Sequence, residues 1–249
     1  MTGALALVLA AAAAAPAAKP KPAPATRDTG FAVTLGGGLA SVPLSWQTSA
    51  SWPLYAETAR LEAAQEASLG PAAEIAVAYR FSSRFGVSAA FGWSSRDGSA
   101  EIEASLPHPL YLARPRAVSG STEGLDYSQA ASHLDLEWRP VRGRIELALF
   151  AGPSFLRAEA DLVVSVTASE SYPYDEAAFA SAQAETSRSA SSLGWNAGAA
   201  LAGAVSSKLD LGLQARYSRA TPELEAPGGG SLTLEAGGLE LTAFLRLRF

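Results

Sequence analysis

Strict alternation of apolar and polar side chains constrains this chain more than any other feature. At the C-terminal end Leu239, Leu241, Ala243, Leu245, Leu247 and Phe249 occupy one parity, and Glu240, Thr242, Phe244, Arg246 and Arg248 the other. Side chains on a strand alternate between its two faces, so this pattern predicts strands with one apolar face. The same rule holds over 31–40, 74–81, 85–94, 133–139, 144–155, 193–205 and 208–218. In several of these segments the second face is mostly Gly, Ala and Ser. The alternation therefore predicts eight strands.

The connections between them fall into two classes. Ser82-Ser83-Arg84, Pro140-Val141-Arg142-Gly143 and Ser206-Ser207 are short, whereas the stretches 41–73, 95–132, 156–192 and 219–238 are long. Short turns at one end and long loops at the other predict an antiparallel up-and-down meander, with both termini at the short-turn end. The loops themselves contain alternating stretches, such as Glu101-Ile102-Glu103 and Ala160 to Val166, which predict raised hairpins. For Tyr55–Ala67 a helix is the alternative, because Ala, Glu, Leu and Arg favour one. Gly228-Gly229-Gly230 lacks the Lys of a phosphate loop and reads as a loop tip.

Composition narrows the class. Of 249 residues 48% are hydrophobic and 17% charged, the net charge is −5, and there is no Cys. That excludes a disulfide scaffold and thiolate chemistry, and gives no electrostatic reason to expect nucleic acid as a partner. Residues 1–18, MTGALALVLAAAAAAPAA, are too short an apolar run to span a bilayer comfortably. They read as a signal peptide with Ala15-Pro16-Ala17 as the cleavage pattern, although no Lys or Arg precedes the run. Residues 19–29 read as a Pro/Ala-rich tether and 30–249 as the barrel domain.

Three features assign the apolar face to lipid. The second face is built of small residues suited to a narrow interior. Aromatics gather at both ends of the apolar face, with Phe31, Phe81, Phe85, Trp138 and Phe249 near the short turns and Trp93, Trp195 and Tyr217 toward the long loops. The eight residues from Phe85 to Trp93 rise roughly 20 Å along a membrane normal, close to the apolar band of an outer-membrane barrel. Finally, an exported chain without disulfides fits a barrel closed by backbone hydrogen bonds. The lumen face then carries Arg80, Arg139, Arg144, Lys208, Arg216, Arg246 and Arg248 against Glu74, Asp135, Glu137, Glu146, Asp210 and Glu240. These nearly balanced charges predict an internal ion-pair network. Eight strands leave an interior filled by side chains rather than an open pore.

With eight strands, three short turns, four long loops and the ending Leu245-Arg246-Leu247-Arg248-Phe249, the chain resembles small outer-membrane β-barrels of the OmpA/OmpX-like superfamily. Tyr79-Arg80-Phe81 through Arg84-Phe85-Gly86, and Ala151-Gly152-Pro153-Ser154-Phe155, are similar to motifs common there. The resemblance implies an all-β, eight-stranded antiparallel transmembrane barrel in the cell outer membrane, with short periplasmic turns and long extracellular loops. It also implies outer-membrane lipids as surroundings and recognition of the strand ending at Phe249 by the outer-membrane assembly machinery; an OmpA-type peptidoglycan-binding domain is not expected, because the chain stops at the barrel's last strand.

No catalytic, cofactor-binding or metal-binding residue is assigned. His133-x-Asp135-x-Glu137 has the residue types of an acid–base or metal cluster, but is read as part of the charged interior. His108, between two prolines, has no identifiable partner in the sequence. The Pro- and aromatic-rich segments Leu106–Tyr111 and Tyr172–Tyr174 are read either as loop packing or as a recognition surface. The function expected is therefore non-enzymatic: envelope structure or surface interaction. Alternatives are a soluble periplasmic lipocalin-like barrel binding a small apolar ligand and a barrel hydrolase acting on lipid or peptide. The direction of Leu239, Leu241 and Leu245 separates the first two, since they point outward in a membrane barrel and inward in a soluble one.

Overall fold

The computed structural model describes residues 29–40, 44–225 and 231–249. The expected signal peptide, nearly all of the expected tether and the triglycine lie outside them. In chain order the strands are β1 Gly30–Ala40, β2 Leu44–Leu54, β3 Glu57–Ala67, β4 Gly70–Arg80, β5 Phe85–Leu106, β6 Arg116–Val141, β7 Ile145–Glu170, β8 Ala177–Ala204, β9 Leu209–Ala220, β10 Glu223–Glu225, β11 Ser231–Thr233 and β12 Ala236–Arg248. Among the described residues there is no helix.

Eight of these strands close a ring. Antiparallel pairing runs β1–β4–β5–β6–β7–β8–β9–β12 and returns from β12 to β1, with Leu35 opposite Leu245. The alternation decides which way each residue faces. Phe31, Leu35, Ile75, Phe91, Leu134, Leu213, Leu241 and Leu245 are about half exposed on the outside, and Ala32, Glu74, His133, Arg216 and Phe244 are buried inside. Leu241 and Leu245 thus point away from the lumen, which removes the lipocalin-like alternative. The two aromatic groups lie on this outer surface, Phe31 stacked on Tyr79 with ring centroids 4.8 Å apart and Trp195 on Tyr217 at 5.6 Å.

Inside, large and small residues are matched across strands. Gly212 lies opposite Phe244, and a Cβ on Gly212 would come within 2.4 Å of that ring. Phe150 and Phe244 form a small apolar cluster with Ala148, Ala200 and Ala202 low in the lumen.

Most of what the sequence presents as long loops is strand. β5 has 22 residues, a rise of roughly 55 Å at about 40° tilt, about twice the height of the apolar band. The facing pattern continues without interruption along β5, but its chemistry inverts. Below Trp93 the outward residues are Phe85, Val87, Phe91 and Trp93; above it they are Asp97, Ser99, Glu101 and Glu103. The inward residues change from Gly86, Ser88, Gly92 and Ser94 to Ala100, Ile102, Ala104 and Leu106, all four of the latter buried. β7 behaves alike, passing from outward Leu149 and Phe155 to Arg157, and from inward Glu146 to Leu156 and Leu162.

The region above the membrane is accordingly a water-soluble head with its own core. The β2–β3 hairpin pairs with upper β5 through β3, from Arg60 opposite Ser105 to Ala67 opposite Gly98. Leu61, Ile102, Leu106 and Val118 from this sheet pack against Val163 and Val166 of the β7–β8 hairpin. The segment 57–67 is therefore strand, not helix: pairing with β5 buries Leu61, Ala63, Gln65 and Ala67 on one face, and tertiary burial overrides local helix propensity. Its hairpin turns at Tyr55 and Ala56, both with positive φ.

Ile102→Asp is expected to place an unpaired charge in the head core while leaving the ring intact. Limited proteolysis should then cut the raised hairpins, with the heat-modifiable gel migration of the barrel retained.

Candidate functional site

The lumen holds a layered polar network. Arg216 on β9 is its hub: Nε donates to Glu74 Oε2 at 3.0 Å, and Nη1 to Asp135 Oδ2 at 2.8 Å and to Asn196 Oδ1 at 2.6 Å. Its guanidinium also lies 4.6 Å from the centre of the Phe150 ring. Gln214 donates to Glu74 at 2.8 Å, and Asn196 to Asp135 at 2.8 Å and to Ser154 at 3.0 Å. Nearer the periplasm, Glu146 is shared by Arg80 at 3.0 Å, Arg246 at 2.7 Å and Arg139 at 3.4 Å. Arg139 also pairs with Glu137, and Arg248 with Asp210.

Two of the expected lumen charges lie elsewhere. Arg144 and Lys208 are exposed at the short turns, because they flank the first strand residues instead of lying within the ring. Arg96, which the sequence reading missed, is buried in the upper lumen, donates to Gly237 O at 3.2 Å and lies over Tyr127. Its signal was its parity: it continues the inward series of Gly92 and Ser94.

His133, Asp135 and Glu137 share a face of β6 but do not converge. His133 Nδ1 lies 2.7 Å from Ser154 Oγ, Asp135 binds Arg216 and Asn196, and Glu137 binds Arg139. Ser154 also accepts from Asn196. This is a serine beside a histidine, but both are buried in a filled interior. The mid-lumen cavity has a volume of about 30 Å³, room for about one or two waters. Above it lies an apolar cluster of buried residues that includes Trp46, Tyr127, Leu156, Leu162, Leu224 and Leu234. Trp46 and Thr48 donate to Gln65 Oε1, and Gln65 donates to Asp161 O, tying the β2–β3 hairpin over the opening.

The second candidate surface is the apex of the head, where the connections 107–115 and 171–176 meet the β2–β3 turn. Arg116 joins the two connections, and Glu170 links them to the turn. Arg116 Nη2 donates to Pro107 O and to Glu170 Oε1, both at 2.7 Å, and its Nη1 to Tyr174 O at 3.1 Å; Tyr55 donates to the same Glu170 at 3.3 Å. Partial burial and then the charge of Glu170 raise the Tyr55 phenol above its ordinary pKa. His108 has partners that the sequence did not reveal. Its Nδ1 accepts from the backbone N–H of Leu110 at 3.1 Å and Tyr111 at 3.2 Å, so the buried ring shapes the turn. Arg114 and Asp175 bridge the two connections at 3.2 Å.

The two Pro- and aromatic-rich segments divide between packing and display. Leu106, Pro107 and His108 are buried, whereas Leu110, Tyr111, Leu112 and Tyr172 are 59%, 56%, 76% and 81% exposed. Four large apolar side chains thus face water on a braced scaffold.

Residues 3–243 match the family model described as the outer membrane protein beta-barrel domain. No curated protein matches the chain. Among solved structures, the chain is similar to the outer membrane protein OprG from Pseudomonas aeruginosa, at 11% identity and a TM-score of 0.45 over 90% of this chain and 98% of that one. It is also similar to Neisserial surface protein A, at 15% identity and 0.42 over 88% and 97% of the two chains. The outer membrane protease OmpT from Escherichia coli matches at 10% identity and 0.42, again over 88% and 97%.

Replacing Arg216 by Met is expected to leave Glu74 and Asp135 without their common cation. Loss of one partner of a buried ion pair costs about 3–5 kcal/mol. Urea unfolding of the detergent-solubilised barrel should show a loss on that scale.

Proposed function

This chain belongs to the outer membrane protein beta-barrel domain family, and from that premise we propose that it is a non-enzymatic surface protein. In this reading the barrel anchors and the head presents. One observation carries it: Leu110, Tyr111, Leu112 and Tyr172 are held exposed on cross-braced turns above a filled lumen. Exposed apolar clusters on rigid scaffolds are characteristic of interaction surfaces, and tyrosine is enriched where binding energy concentrates.

Two features argue against the other roles open to a barrel. The ion-pair layers and the apolar layer above them oppose solute flow, so the barrel is not an open pore. Ser154 and His133 are both buried, and among the described residues no carboxylate is bonded to the His133 ring to orient it. Outer-membrane lipids cover the apolar belt, and the strand ending at Phe249 engages the assembly machinery during insertion.

Planar bilayers containing the purified protein should show no discrete conductance steps, and a steady open-channel current would refute the sealed-lumen reading. On cells, replacing Tyr111, Leu112 and Tyr172 together by Ser should lower attachment to an apolar surface and to other cells severalfold. Surface abundance and heat-modifiable migration should be unchanged, and equal attachment would remove the apex as the working surface.

A further inference from the structure

A basic feature sits at the end of the barrel opposite the apex. Where β1 begins, β12 ends and the β8–β9 turn crosses, there is a pocket of about 180 Å³ whose lining includes Arg80, Lys208, Arg248, Ser207, Phe31 and Phe249. The Arg80 side chain is 8% exposed and holds Glu146 through Nη2, while its buried Nε makes no hydrogen bond among the described residues. Arg248 is held to Asp210 through Nη2, and its Nε is in the same condition. Lys208 is exposed and has no carboxylate within ion-pair distance among the described residues.

The surrounding charge is lopsided. The pocket lining holds the basic side chains Arg80, Lys208 and Arg248 and no Asp or Glu, with Glu146 and Asp210 holding Arg80 and Arg248 from the lumen side. The turns add Arg84, Arg142 and Arg144 and contain no Asp or Glu. An anion is the ligand class that such a pocket favours.

Position selects the source of that anion. The pocket opens beside Phe31 and Phe249, which are 57% and 63% exposed on the lipid-facing surface. These rings belong to the aromatic girdle at the boundary between hydrocarbon and headgroups. A phosphate diester in the pocket would have its glycerol and acyl chains running past both rings into the leaflet, whereas free phosphate would use only the basic half of the site. We propose that this pocket binds the phosphate of an anionic inner-leaflet phospholipid, with Lys208 and Arg248 on the phosphate and Phe31 and Phe249 against the chains.

Native mass spectrometry of the full-length protein in detergent, titrated with phosphatidylglycerol or phosphatidylcholine, tests this directly. The wild-type barrel should retain phosphatidylglycerol preferentially. Lys208→Gln alters an exposed side chain outside the ring's ion-pair layers, and should lower that preference about five-fold, the scale of one basic residue at an anionic surface. Arg84→Gln, in the turn between β4 and β5, should leave it unchanged. Three results would each overturn the proposal. They are an unaltered preference in Lys208→Gln, an equal loss in Arg84→Gln (which would mean diffuse attraction), or displacement of the lipid by millimolar inorganic phosphate, which would mark a free-anion site.

Discussion

Hydrocarbon offers no partner to a backbone N–H or C=O, and every other property of this fold follows from meeting that condition. The solution is the pairing of β1 with β12, which joins Ala32 to Arg248 and Ala40 to Glu240 across the whole length of chain between them. Once the ring closes, no strand edge faces lipid, and the alternation is forced to sort side chains into an outer and an inner set. A ring of eight is narrow. Its interior accepts Phe150 and Phe244 only because glycine and alanine stand around them.

The inner set then has to be neutralised without water. Arg216 and Glu146 do this at two levels, each binding several partners, so that charges are paired in layers instead of isolated couples. Burial makes every such contact strong and every missing partner costly. Under the proposed function these layers, with the apolar cluster above them, are the filling of a stem, and interaction belongs to its two ends.

The boundary between stem and head is written in the strands themselves. Along β5 the side chains keep their facing while the solvent on the outside changes from lipid to water, so Phe91 and Trp93 give way to Glu101 and Glu103. The interior changes in the opposite sense, from Ser88 and Ser94 to Ile102 and Leu106. This inversion is legible in the sequence to a reader who follows one parity past the aromatic girdle. The segment 57–67 is less legible, because its composition suits a helix and only pairing with β5 makes it a strand.

Alternation in the sequence specifies the eight strands of the ring, their facing, the short turns and the membrane, since all of these follow from a two-residue period read against aromatic and charged positions. It also placed most of the lumen charges. Tertiary structure decided who meets whom. That Arg216 binds Glu74 on β4, that His108 caps its own turn, and that Arg116 gathers two connections depend on register and on the path of the raised hairpins. Alternation specifies a face, whereas a contact also needs the height of each residue on its strand and the angle between strands. Those are properties of the closed ring as a whole.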